Sequence, residues 1–223
     1  MLRSTLAAAV ATLAVMPLAA QDTGDPAPPE QAVTATSEGM PDGWLMRLDR
    51  ASATTATVDF QDMPPGWHVT SDRAGSGIFW QSDMTAAGSF TASTTIHLFS
   101  PVEHAEAFGL FIGGRDLDGE NQEYVYFLVR RTGEYLVKRR MGNETENLVG
   151  WTAHEAVPET PVGAEQSVEY ALAVQVGEDG VSFSVNGTTV HTLPAAGLRT
   201  DGAVGIRINH RLNVHVEDVT VES

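Results

Sequence analysis

The stretch Val168-Glu169-Tyr170-Ala171-Leu172-Ala173-Val174-Gln175-Val176-Gly177-Glu178-Asp179-Gly180-Val181-Ser182-Phe183-Ser184-Val185-Asn186-Gly187 decides the fold. Its large apolar residues, Val168, Tyr170, Leu172, Val174 and Val176, fall at every second position, as do Val181, Phe183 and Val185. A period of two belongs to an extended strand with one buried face, because successive side chains point to opposite sides. Gly177-Glu178-Asp179-Gly180 is a turn signal, so the two runs form a hairpin. Asn186-Gly187 starts a second tight turn, since both residues tolerate positive φ, and leads into a third strand over 188–193. Three strands in a meander follow from this one segment.

Both directions outward repeat the pattern. Val204, Ile206 and Ile208 face one way and Gly205, Arg207 and Asn209 the other. Leu212, Val214 and Val216 continue it, after which the phase jumps to Val219 and Val221. One extra residue near Glu217-Asp218 would restore the phase, which predicts a β-bulge. Upstream, residues 56–61, 67–69, 76–81, 90–99, 108–113, 123–131 and 134–140 read as strands, with Thr132-Gly133 as a two-residue turn between the last two. No stretch of ten residues carries a helical stripe. Many short strands separated by turns predict an all-β, two-sheet antiparallel jelly-roll sandwich.

The ends and the bulk composition set the setting. Met1-Leu2-Arg3, an apolar run from Leu6 to Met16 and the small residues up to Ala20 have the layout of a secretory signal peptide, cleaved near Ala20. The apolar run is too short to span a bilayer, which takes about 20 residues. Residues 21–40 are polar and Pro-rich and read as a flexible leader. Residues 41–223 read as a single β-sandwich domain, periplasmic or secreted. There is no cysteine, so neither a disulfide framework nor a thiolate metal site is available. A formal charge of −16 excludes nucleic acid as a partner, and no other apolar run is long enough for a membrane span. The acidic, Lys-poor composition also suits saline surroundings.

Three further stretches carry a resemblance. They are Ala107-Phe108-Gly109-Leu110-Phe111-Ile112-Gly113-Gly114, Tyr124-Val125-Tyr126-Phe127-Leu128-Val129-Arg130 and Gly133-Glu134-Tyr135-Leu136-Val137-Lys138-Arg139-Arg140. With Trp151, and with closing strands at 181–187 and 202–207, they resemble the concanavalin A-like lectin/glucanase superfamily. Within it they are similar to laminin-G-type and 3-keto-disaccharide hydrolase-like bacterial secreted domains. The likeness covers residues 60–221. It implies a jelly roll, and a sugar-facing role of either lectin or enzyme type. Retaining glucanases of the superfamily carry Glu-x-Asp-x-x-Glu on one strand; this chain has no such triplet, so that reaction is not expected.

The candidate ligand-binding residues are Tyr124, Tyr126, Arg130, Lys138, Arg140 and Trp151. Alternation places Tyr124, Tyr126, Leu128 and Arg130 on one face, and cross-strand pairing would bring Lys138 or Arg140 beside the tyrosines. Rings stack on the C–H faces of sugars while cationic groups donate to hydroxyls or carboxylates. The plainer alternative is a half-buried sheet whose arginine heads reach out to acidic neighbours. Trp151 follows Gly150 in a loop-like context; Trp80 suits a core or a concave-face platform, and Trp67 a sheet-edge plug.

Asp116, Asp118 and Glu120 form a carboxylate-dense loop with Gly119, and are the candidate ligands for Ca2+, against a plain solvated loop. Of the seven histidines, none has the spacing of a two-histidine metal motif. If the protein is an enzyme, His97, His210, Asp116 and Arg130 are the candidates for proton and electrostatic work. Three functions therefore stay open: an exported, non-catalytic carbohydrate- or glycoconjugate-binding module, a sugar hydrolase or lyase, and a structural or interaction module of the cell envelope. The partner expected under the first is a glycan or glycoconjugate.

Overall fold

The alternation at 168–185 does form a hairpin in the computed structural model of the chain, which describes residues 39–50 and 53–223 and the backbone of Thr34–Ala35. The expected signal peptide and most of the expected leader lie outside the described residues. The strands are β1 (Thr34–Ala35), β2 (Trp44–Leu48), β3 (Val58–Asp62), β4 (Trp67–Ser71), β5 (Gly77–Ala86), β6 (Phe90–Leu98), β7 (Ala107–Arg115) and β8 (Glu123–Arg130). They continue as β9 (Glu134–Met141), β10 (Glu144–Ala153), β11 (Val168–Val176), β12 (Gly180–Val185), β13 (Thr188–Pro194), β14 (Gly202–Ile208), β15 (Asn213–Val216) and β16 (Thr220–Glu222). One short 3-10 turn, Thr55–Thr57, is the only helical element among the described residues.

These strands make two eight-stranded antiparallel sheets. The first runs β1-β2-β5-β14-β7-β8-β9-β10; the second runs β13-β12-β11-β6-β15-β4-β3, with β16 also on β6. The architecture is the expected jelly-roll sandwich. Its core is the layer where the inward residues meet. Met46, Phe79, Phe108, Leu110, Phe127 and Ile206 from the first sheet join Val69, Ile96, Tyr170, Leu172 and Phe183 from the second in one buried cluster. Tyr170 and Phe108 meet between the sheets edge to face at 5.1 Å, and Phe127 and Phe183 meet in a tilted contact at 5.3 Å. Trp67 belongs to this core, 3% exposed and edge-on to Trp44 at 5.1 Å, rather than plugging a sheet edge.

Turn chemistry follows the sequence closely at two places. Asn186 and Gly187 both have positive φ, 50° and 76°, and Val185 pairs with Thr188 across the two-residue turn. Val216 lies opposite Ile96 and Thr220 opposite Ser93, so four residue steps on one strand face three on the other. That is the extra residue expected near Glu217-Asp218. Two readings are corrected. Arg130 pairs with Glu134, so the β8–β9 turn holds three residues, 131–133, with Gly133 at φ 77° as its left-handed member. Residues 144–153, not among the expected strands and including Trp151 in its expected loop-like context, form β10, a sheet-edge strand with register shifts against β9 and little apolar alternation. The sequence reading also left out β2, a strand of five residues.

The two sheets differ in their outward faces. β6 has the burial rhythm of a half-buried strand, with Thr91, Ser93, Thr95 and His97 at the less buried positions. β7 and β8 have no such rhythm: Phe108 to Gly114 and Tyr124 to Val129 are buried on both sides. The outer face of the first sheet therefore carries its own apolar cluster, containing Ile78, Trp80, Phe111, Tyr124, Tyr126, Leu128 and Leu136.

Candidate functional site

This outer face is built by parity. In β8, residues 125, 127 and 129 point to the core, which leaves Tyr124, Tyr126, Leu128 and Arg130 outside. β9 pairs so that Arg140 lies opposite Tyr124, Lys138 opposite Tyr126 and Leu136 opposite Leu128. The expected juxtaposition of rings and cations is present, with both Lys138 and Arg140 opposite a tyrosine. Rings contact across and along the strands: Phe111 of β7 to Tyr124 of β8 at 5.3 Å, and Tyr124 to Tyr126 within β8 at 5.5 Å. Gly205, on neighbouring β14, makes room for the first ring. A Cβ there would stand 2.6 Å from Phe111 and 2.3 Å from the Phe79 carbonyl oxygen.

Arg207, two residues further along β14, adds the charge that the hairpin reading overlooked. Its Nη2 donates to Asp49 Oδ2 at 2.6 Å and its Nη1 to Asp49 Oδ1 at 3.2 Å, while Nη1 also donates to the Tyr124 hydroxyl at 3.2 Å. The guanidinium carbon sits 5.2 Å from the centre of the Tyr126 ring. Burial pushes the Asp49 carboxyl upward, and the charge and hydrogen bonds of Arg207, with the charges of Arg140 and Arg47, outweigh that and hold it below its ordinary value. Arg47 donates to the carbonyl oxygens of Leu117 at 2.8 Å and Gly119 at 2.5 Å, fixing the loop over residues 116–121 against this face. Desolvation lowers the pKa of Arg47, with the Arg140 charge acting the same way.

Arg47, Lys138, Arg140 and Arg207 thus converge on a face where Asp49 is a buried carboxylate, in a chain whose formal charge is −16. Tyr124 and Tyr126 are each 1% exposed and form its floor. Trp151 and Leu45 are only partly buried against the same cluster. Arg130 stacks on Trp151, with 4.0 Å between guanidinium carbon and ring centre, and its Nη2 holds Glu134 at 2.8 Å. That ion pair, with Thr132, pulls the Glu134 carboxyl below its ordinary value. All six residues proposed from the sequence for ligand contact therefore lie in one patch, with Trp151 on strand β10 rather than in a loop. Trp80, expected in the core or on a platform, belongs to the same outer cluster, whereas Phe111, Arg47, Asp49 and Arg207 were not singled out. Alternation over Trp44 to Leu48, and the placing of Arg207 opposite Val204 and Ile206, were the signals that could have found the last three.

The other sequence candidates do not assemble. Asp116 turns back on its own loop, accepting from the Asn121 amide at 2.9 Å, and Asp118 and Glu120 are exposed. The three carboxylates form no common cluster, and among the described residues the single group of three metal-type side-chain donors lies elsewhere. His97 sits on the outer face of the second sheet, paired with Glu217 at 2.9 Å and ring to ring with His215 at 5.8 Å. It cannot share a substrate with Arg130 on the first sheet. His210 stands in the turn from β14 to β15.

Comparison with solved structures agrees with the architecture. A carbohydrate-binding module of family 66 from Bacillus subtilis superposes with a TM-score of 0.57 at 14% identity, over 84% of this chain and 99% of that one. A Bacillus subtilis protein of unknown function with a galectin-like fold gives 0.54 at 15% identity, over 80% and 88%. The CBM2 module of an evolved Dit protein from Lactobacillus casei phage J-1 gives 0.51 at 9% identity, over 82% and 90%. At these identities the likeness is one of fold. No family model matches the sequence, and no curated protein matches it.

Proposed function

We propose that the protein is an exported, non-catalytic carbohydrate-binding module that takes an acidic glycan or glycoconjugate on the outer face of its first sheet. The observation that carries this reading is the contrast between the two outer faces of one sandwich. One carries threonine, serine and histidine, as a solvated sheet does; the other carries tilted, contacting rings with Arg47, Lys138, Arg140 and Arg207 among them. An all-solvent face has no need of either. Partly exposed Trp151 and the Arg130 guanidinium offer the landing edge, and the cations deeper in the face attract a carboxylate or sulfate on the sugar.

The fold comparison supports the reading through its first neighbour, a carbohydrate-binding module. Release from the cytoplasm, by cleavage near Ala20, belongs to the same proposal. So does the finer relation to laminin-G-type and 3-keto-disaccharide hydrolase-like domains. A glycan array that includes uronic-acid and sulfated chains, read with the folded protein at low salt, tests it. Retention of acidic chains that weakens as salt rises is the expected result. Blank arrays with folded protein would remove the proposal, and turnover of a 3-keto-glucoside would replace the non-catalytic part with an enzymatic one.

A further inference from the structure

Away from that patch, two separate chain crossings bring three donor side chains together. His104 and Glu106 belong to the connection over residues 99–106, which carries the chain from β6 in the second sheet to β7 in the first. His210 belongs to the turn from β14 in the first sheet to β15 in the second. Glu106 Oε1 lies 2.9 Å from His104 Nε2 and 3.0 Å from His210 Nε2. One ligand atom from each of the three falls within 4.8 Å of the other two.

The arrangement is held from behind. Glu106 is 7% exposed, and the Ser76 hydroxyl, itself in a residue 2% exposed, bonds His210 Nδ1 at 3.2 Å. That contact fixes the ring and leaves Nε2 as the atom turned toward Glu106. An oriented imidazole whose other nitrogen is already committed is the usual support of a metal-bound histidine. Both crossings are also pinned: Arg131 donates to the carbonyl oxygens of Val102 and Glu103, and the Asn209 amide donates to the Ala107 carbonyl oxygen at 3.0 Å.

We propose that His104, Glu106 and His210 bind one divalent ion of the zinc class, leaving a fourth position to water. Two imidazole nitrogens and a carboxylate suit zinc, and two nitrogens disfavour calcium, which takes oxygen donors. Donors about 2.0–2.1 Å from a tetrahedral zinc stand about 3.3 Å apart. The separations here are a few tenths of an ångström shorter, and His104, 67% exposed at its side chain, is free to supply the opening. A simple ion pair would occupy one histidine; here two imidazoles, 6.2 Å apart and nearly parallel, aim at the same carboxylate oxygen. The ion would tie together two crossings more than 100 positions apart in the chain, 106 and 210, and so would stabilise the folded state.

The test is zinc titration of chelator-washed, full-length protein against a chromophoric chelator, with the unfolding midpoint followed in parallel. One equivalent of zinc per chain, unaffected by excess calcium and accompanied by a rise in midpoint, is the expected result. Because Glu106 and His210 are packed, their replacement can disturb folding, so His104→Ala carries the decision. It should fold with an unchanged circular dichroism spectrum and lose at least about tenfold in zinc affinity. Replacing zinc by Co2+ should give the visible absorption of a four-coordinate site, absent in His104→Ala. Zinc binding of equal strength in wild type and His104→Ala would overturn the assignment, as would no zinc binding by the folded wild type.

Discussion

Arg207 grips Asp49 through both terminal nitrogens, at 2.6 and 3.2 Å, on the side of the sheet that faces away from the sandwich core. The two residues are 158 positions apart in the chain. Asp49 lies just beyond β2 and Arg207 within β14, and β5 runs between them, pairing with both strands. Buried ion pairs contribute little net stability over an apolar pair, yet removing one partner is costly, so such a pair chiefly fixes geometry. Here it holds the guanidinium between Tyr124 and Tyr126.

Asp49→Ala should therefore destabilise the protein by about 3–5 kcal/mol at neutral pH, measured by urea unfolding. The sign of its pH dependence follows from the lowered carboxyl pKa. The stabilisation is complete above the unfolded value of about 3.9 and is lost as pH falls from there through the lower folded value. The gap between wild type and variant should close across that acidic window and stay constant from pH 5 to 6. A gap independent of pH below 4 would contradict the assignment.

Lys138→Ala and Trp151→Ala should each weaken binding of an acidic glycan about tenfold or more while leaving the unfolding midpoint within a few degrees. Trp151 is partly exposed, and the Lys138 ammonium is not a member of the Asp49 pair. Only the Lys138→Ala variant should also show a shallower dependence of affinity on salt, because screening acts on charge and not on ring stacking. Titration calorimetry at two salt concentrations separates the two contributions.

Gly205→Ala tests the packing that lets the aromatic row form. The added methyl would meet the Phe79 carbonyl oxygen at 2.3 Å and the Phe111 ring at 2.6 Å. Backbone cannot yield cheaply, so a loss of about 1–3 kcal/mol is expected, with the near-ultraviolet circular dichroism of the aromatic residues altered. An unchanged spectrum and stability would show that the ring does not need that space.

His215 gives a second pH signal, of opposite origin. Burial lowers its pKa, with the charges of neighbouring His97 and His68 acting the same way and against the Pro65 carbonyl and Glu217. Between the lowered folded value and the unfolded value of about 6.5, the unfolded chain binds the extra proton, so stability rises with pH in that interval. His215→Gln should remove that part of the slope in thermal melts between pH 5 and 7. The Pro65 carbonyl oxygen, which accepts from Nε2 at 2.8 Å, stays within reach of the amide.

Much of this was legible locally. The hairpin at 168–185, the Asn186-Gly187 turn and the bulge near Glu217 are set by neighbours along the chain, and period-two alternation reports them directly. The meeting of Tyr124 and Tyr126 with Lys138 and Arg140 was legible for the same reason, since one short turn joins β8 to β9. Strand β10 was not, because an edge strand with no fully buried residue has no apolar rhythm to display.

What the chain alone determined is the set of extended segments and which of their residues share a side, since the pleat sends alternate side chains in opposite directions wherever the strand ends up. Which strands become neighbours was decided only on folding. Asp49 beside Arg207, Phe111 beside Tyr124, and His104 with Glu106 and His210 arise from pairings and crossings between distant segments. Alternation names a side for each residue but not what lies beyond it, because that depends on which sheet the strand joins and which face closes over the core.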